Sequence, residues 1–96
     1  MLDEDIILLD TYCSYYDIEI SFIETLESFG LLTVRYEENK RFIFKEEINS
    51  LEKFSRMYYD LNINVPGIDA LSHLLEKLKT LQQETEILKA RLRIYE

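Results

Sequence analysis

Asp17-Ile18-Glu19-Ile20-Ser21-Phe22-Ile23-Glu24-Thr25-Leu26-Glu27-Ser28-Phe29-Gly30 carries the fold in its spacing. From Ile20 onward, Ile20, Phe22, Ile23, Leu26 and Phe29 recur at helical period and make one apolar stripe. Gly30 supplies the left-handed residue that ends such a helix. Upstream, Leu8–Tyr16 reads as a second helix after a short lead-in from Ile6, with Asp17-Ile18 as a tight turn. Two helices joined by so short a turn are a helix-turn-helix, with apolar Ile18 plugging the corner.

Downstream, Leu32–Tyr36 and Arg41–Phe44 alternate apolar and polar residues around Glu37-Glu38-Asn39-Lys40, in which Asn39 tolerates positive φ. This predicts a β-hairpin, the wing. A third helix is expected over Lys45–Leu61, with Ile48, Leu51, Phe54, Tyr58 and Leu61 inward and Asn49, Lys53, Arg56 and Asp60 along its polar edge. Asn62-Ile63-Asn64-Val65 breaks it, and Pro66 falls in the first turn of a last helix, where its missing N–H costs nothing. In sevens, Leu71, Leu78, Thr85 and Leu92 alternate with Leu74, Leu81, Leu88 and Tyr95, so seven of eight seam positions are apolar. Such a helix outruns its own domain from Gln82 on and is expected to pair with a second copy through Leu71, Leu74, Leu78, Leu81, Leu88 and Leu92, parallel or antiparallel. The chain therefore divides into residues 1–65, a winged-helix region, and residues 66–96, a coiled-coil tail.

Charge narrows the function. Net charge is −8, and the first 30 residues hold eight acids (Asp3, Glu4, Asp5, Asp10, Asp17, Glu19, Glu24 and Glu27) without a Lys or Arg; the rest of the chain is balanced. An acidic pole repels phosphate and attracts basic protein surfaces. The outward face of the second helix (Ser21, Glu24, Thr25 and Ser28) lacks the Arg or Lys that a groove-reading helix brings to guanine and phosphate. Arg35, Lys40, Arg41 and Lys45 make the wing basic, and they keep open a second reading, a DNA-binding regulator. Catalysis is not expected: there is no Gly-rich phosphate loop and no nucleophile–base pair close in sequence. His73, among Leu71, Leu74 and Leu75, reads as a partly buried core or seam residue, and Cys13 as a small buried hydrophobe. No cofactor or metal is expected. No apolar run approaches a membrane span, and the acidic Met-Leu-Asp-Glu-Asp start is unlike a signal peptide, so a cytoplasmic location is expected.

Asp17-Ile18-Glu19-Ile20-Ser21-Phe22-Ile23, closing at Phe29-Gly30-Leu31-Leu32, resembles the start of MerR-type winged helices. With Leu61-Asn62-Ile63-Asn64, Gly67-Ile68-Asp69-Ala70-Leu71 and His73-Leu74-Leu75 before the tail, the chain resembles the chaperone-modulator (CbpM-type) branch of that group over nearly its whole length. The resemblance implies a mainly α, MerR-like winged helix-turn-helix. It also implies a partner: the J-domain of a CbpA/DnaJ-like co-chaperone, whose activity such proteins restrain. On that reading Asp10, Asp17, Glu19, Glu24 and Glu27 supply charge, and Tyr12, Tyr15 or Tyr16 the aromatic anchors. Two departures from DNA-reading relatives point the same way. The turn has Asp17 and Glu19 where they carry Gly and a small polar residue, and the wing tip Glu38-Asn39-Lys40 lacks Gly although Arg41-Phe42 keeps their basic–aromatic pair.

Overall fold

The computed structural model describes residues 5–95, so Asp3 and Glu4 of the acidic segment and the terminal Glu96 lie outside the described residues. The chain runs β1 (Ile6–Leu8), α1 (Leu9–Tyr16), α2 (Ile20–Ser28), β2 (Val34–Glu37), β3 (Lys40–Phe44), a single 3-10 turn (Lys45–Glu47), α3 (Ile48–Ser55), a π-helical turn (Arg56–Asp60) and α4 (Val65–Tyr95). This is the expected mainly α winged helix-turn-helix.

The turn between α1 and α2 works because Asp17 takes the left-handed conformation, φ 58°, one that Asp tolerates better than most residues. The Asp17 and Ile18 amides then both donate to the Cys13 carbonyl, and Ile18 packs on the core as the corner plug. The end of α2 repeats the device: Gly30 at φ 74° lets the Leu31 N–H donate to the Leu26 carbonyl. The helix closes at Ser28, one residue sooner than the stripe predicts, and Phe29 is left 41% exposed.

The wing is tighter than its four polar residues suggest. Glu37 pairs with Lys40, leaving a two-residue tip of Glu38 and Asn39, both at positive φ (50° and 65°). Two such residues make the hairpin turn whose twist matches the strands. The larger difference is a third strand. The lead-in Ile6–Leu8 is β1, antiparallel to β3 with Ile6 opposite Phe44, so β3 is the central strand of the order β1-β3-β2.

The core draws on every layer: Leu9, Tyr12 and Cys13 from α1, Phe22, Ile23 and Leu26 from α2, Ile43 from β3, Leu51 and Phe54 from α3, and Val65 and Ile68 from α4. The expected third helix is divided in three, and its end widens into the π turn that closes with Leu61 N–H on the Arg56 carbonyl. Asn64 caps α4, its Oδ1 accepting from the Gly67 N–H at 2.8 Å and its carbonyl from the Ile68 N–H at 2.9 Å. Beyond Ser72 every described residue of α4 is exposed. The uncovered length thus starts nine residues before Gln82, where the sequence placed it.

Candidate functional site

α1 and α2 present the acidic pole, and β3 sends a base into it. Arg41 holds one guanidinium nitrogen 3.0 Å from the Asp10 carboxylate and the other 3.8 Å from that of Glu24. Beside it, the Tyr36 hydroxyl donates to Glu27 Oε1 at 2.9 Å. That hydrogen bond to a carboxylate is the leading cause of the raised Tyr36 phenol pKa. Arg35 pairs with Glu37 on its own strand at 3.0 Å. These exposed pairs stabilise by at most about 1 kcal/mol each, yet they decide where charge is available. Two of the four wing cations already face carboxylates; among the described residues no ion pair reaches Lys40 or Lys45.

The expected docking residues therefore fall into two groups. Asp10, Glu24 and Glu27 lie toward the wing and hold it. Asp17 and Glu19 lie at the other end, at the corner of the helix-turn-helix, with Tyr15 and Tyr16 exposed nearby at 80% and 58%. Of the three tyrosines offered as anchors, Tyr12 is the one that packs in the core, so it is not an exposed anchor. It is only 8% exposed, because its place three residues after Leu9 turns it onto the inward face of α1. Burial, then the Glu52 carboxylate, raises its pKa.

At the corner the structure adds residues that sequence reasoning did not connect. Tyr59, on the π turn, accepts the Glu19 N–H at 3.0 Å, satisfying an amide at the start of α2. Burial raises the Tyr59 phenol pKa, and the Glu19 N–H partly offsets it. Glu52, Arg56 and Asp60 stand across from Asp17 and line one cleft with it. Arg56 and Asp60 carried only a polar-edge signal in the sequence, and nothing local tied them to a residue forty positions earlier.

The outward face of α2 is Ser21, Glu24, Thr25 and Ser28, all exposed as expected. Thr25 and Ser28 donate their hydroxyls back to the helix, to the Ser21 and Thr25 carbonyls at 2.9 and 2.7 Å. Cys13 is buried as expected; burial, with Asp10 adding to it, raises its thiol pKa. His73 is not partly buried in the single chain. Its side chain is 71% exposed, with Nδ1 2.7 Å from the Asp69 carbonyl one turn back. On α4, Leu74, Leu78, Leu81, Leu88 and Leu92 remain 50–64% exposed, and Leu71 is half-buried.

A helix-turn-helix whose second helix is followed by a docked two-stranded wing, and then by a long helix with a bare apolar stripe, defines a winged-helix protein of the regulator type. The family model for MerR HTH family regulatory proteins matches residues 7–90, and the chain belongs to that family. No curated protein and no solved structure matches the chain.

Proposed function

We propose that this chain is a cytoplasmic, non-catalytic adaptor of the chaperone-modulator (CbpM-type) branch. As a homodimer joined through the α4 leucines, it binds the J-domain of a DnaJ/CbpA-like co-chaperone and inhibits its activity. The observation that carries the reading is the state of the charges. The first 30 residues carry eight acids and no Lys or Arg, and the wing bases Arg41 and Arg35 are already opposite carboxylates. Affinity for nucleic acid comes largely from neutralising phosphates, and this surface has few bases left to do so. A basic protein helix gains from the same surface by charge complementarity. The bare stripe of α4 supports the dimer, since half-exposed leucines at seam spacing over 22 residues favour a second copy.

The alternative is a DNA-binding transcription regulator. Family membership and the two wing lysines without an ion pair among the described residues favour it. One pair of titrations separates the readings. A purified J-domain should bind the full chain, and association should weaken as salt rises toward physiological ionic strength, where exposed charges are screened beyond roughly 8 Å. DNA should bind weakly and without sequence preference. No J-domain binding, together with a sequence-specific DNA complex of about 10⁻⁸ M or tighter at that salt, would overturn the adaptor reading.

A further inference from the structure

The apolar surface of α4 is wider at its end than a two-helix seam needs. Ile87 and Ile94 lie one heptad apart and off the seam, yet they are 54% and 78% exposed. Around them stand Lys89, Arg91 and Arg93, with no Asp or Glu between Ile87 and Tyr95. This end is a basic amphipathic helix on an acidic chain. A second bare apolar surface lies at the opposite end of α4. Just ahead of its first turn, a groove of about 300 Å³ is lined by Lys53, Arg56, Met57, Asp60 and Leu61, and Leu61 is 65% exposed. In a parallel pair these two surfaces would stay a helix length apart, on the order of 45 Å, and both would remain in water.

We infer that the last turns of α4 in one copy dock on the Met57–Leu61 groove of the second copy, and the reverse, so that the pair is antiparallel and its ends are closed by side chains outside the seam. The inference rests on the homodimer of the proposed function and names the surface which that dimer adds. Charge selects the register. With Leu78 opposite Leu81 of the second copy, Lys77 meets Glu84 on both sides of the seam. Sliding the helices one heptad, to full overlap, would set Lys77 against Arg91 and Glu84 against itself, and like charges in contact are costly. In the favoured register Leu92 passes alongside Gly67 of the second copy and Tyr95 alongside Asn64. Each helix thus runs past the start of the other, and Ile94 arrives at the groove. Arg91 falls beside Asp69, and Asp60 lines the groove, so the basic end gains acidic neighbours.

The test mixes two full-length chains. One is the ¹⁵N-labelled parent; the other carries a nitroxide on Ala90→Cys, a position exposed and off the seam, while Cys13 is buried and takes no label. In mixed dimers the nitroxide should broaden the amides of the ¹⁵N copy from Met57 to Ala70. Ile94→Ser and Leu61→Ser change positions that are exposed in the single chain, so both variants keep the core. Each should weaken dimerisation roughly tenfold by sedimentation. Together they should cost less than the product, because the two side chains meet each other. Broadening confined to Leu88–Tyr95 would mean parallel pairing, and a maximum near Lys77 would mean full overlap. Either result, or Ser variants that dimerise as the parent does, overturns the docking and leaves the homodimer and the co-chaperone reading standing. A parent that sediments as a monomer at micromolar concentration overturns the homodimer, and the docking with it.

Discussion

Replacing Gly67 by Ala sets helix propensity against the local geometry. Propensity favours Ala inside a helix by roughly 0.5–1 kcal/mol, so on sequence grounds the change should stabilise α4. The added methyl would stand 2.9 Å from Ile63 Cγ2 and 3.1 Å from Asn64 Oδ1. Asn64 Oδ1 is the atom that caps α4 through the Gly67 N–H, and Ile63 packs on the core. Making room displaces one or both. Losing the cap costs about 1 kcal/mol, and forcing a packed side chain aside costs about 1 kcal/mol more. Set against the propensity gain, the net is a destabilisation of about 1 kcal/mol, or roughly 4–8 °C in Tm for a domain of this size. Thermal unfolding by circular dichroism, at one fixed protein concentration because association would raise the midpoint, measures it. Asn64→Ala should cost a similar amount. The double variant should lose less than the sum, because both changes remove the same hydrogen bond. A Gly67→Ala protein that melts at or above the parent, or effects that add, would refute the reasoning.

Three further outcomes are expected. Leu81→Asp removes apolar area from the proposed seam and buries two carboxylates per dimer, which should weaken self-association by about a thousandfold; sedimentation at micromolar concentration reads it, and a monomeric parent would refute the seam. Glu38→Asn with Asn39→Gly gives the wing tip the residues its positive φ values favour and should stabilise by about 1 kcal/mol; an unchanged urea midpoint would refute strain at Glu38. Burial raises the folded-state pKa of Cys13 and of Tyr12 and Tyr59 above their ordinary values of 9.0 and 10.0. The folded chain thus keeps these protons longer than the unfolded one. The stability they contribute is present below their ordinary values of 9.0 and 10.0 and lost as pH climbs through the raised ones, so urea midpoints should fall as pH rises above 9.0. A flat profile would refute it.

What the sequence made legible was whatever depends on neighbours along the chain. The stripe from Ile20 to Leu26, the Gly30 stop, the alternation around the wing and the seam spacing of α4 are local periodicities, and each element is present with its ends shifted by at most two residues. β1 was not legible because Ile6-Ile7-Leu8 runs apolar without alternation and its partner lies near residue 43. Phe29 continued the period of its helix, but Gly30 ends the helix so tightly that the ring emerges from the stripe. The acidic pole was visible as composition, whereas its division was not. Only the fold brings Arg41 between Asp10 and Glu24, or Asp60 across from Asp17.

The place of β3 between β1 and β2 also bears on how the chain is made. The β2–β3 hairpin is local and can close within microseconds of its synthesis. β1, made first, cannot be used until Phe44 exists, so Ile6–Leu8 must wait while both helices of the helix-turn-helix and the wing emerge behind it. During that interval the free edge of β3 is open to any extended chain, including the Ile6–Leu8 segment of another copy. Removing the first eight residues would make that interval permanent.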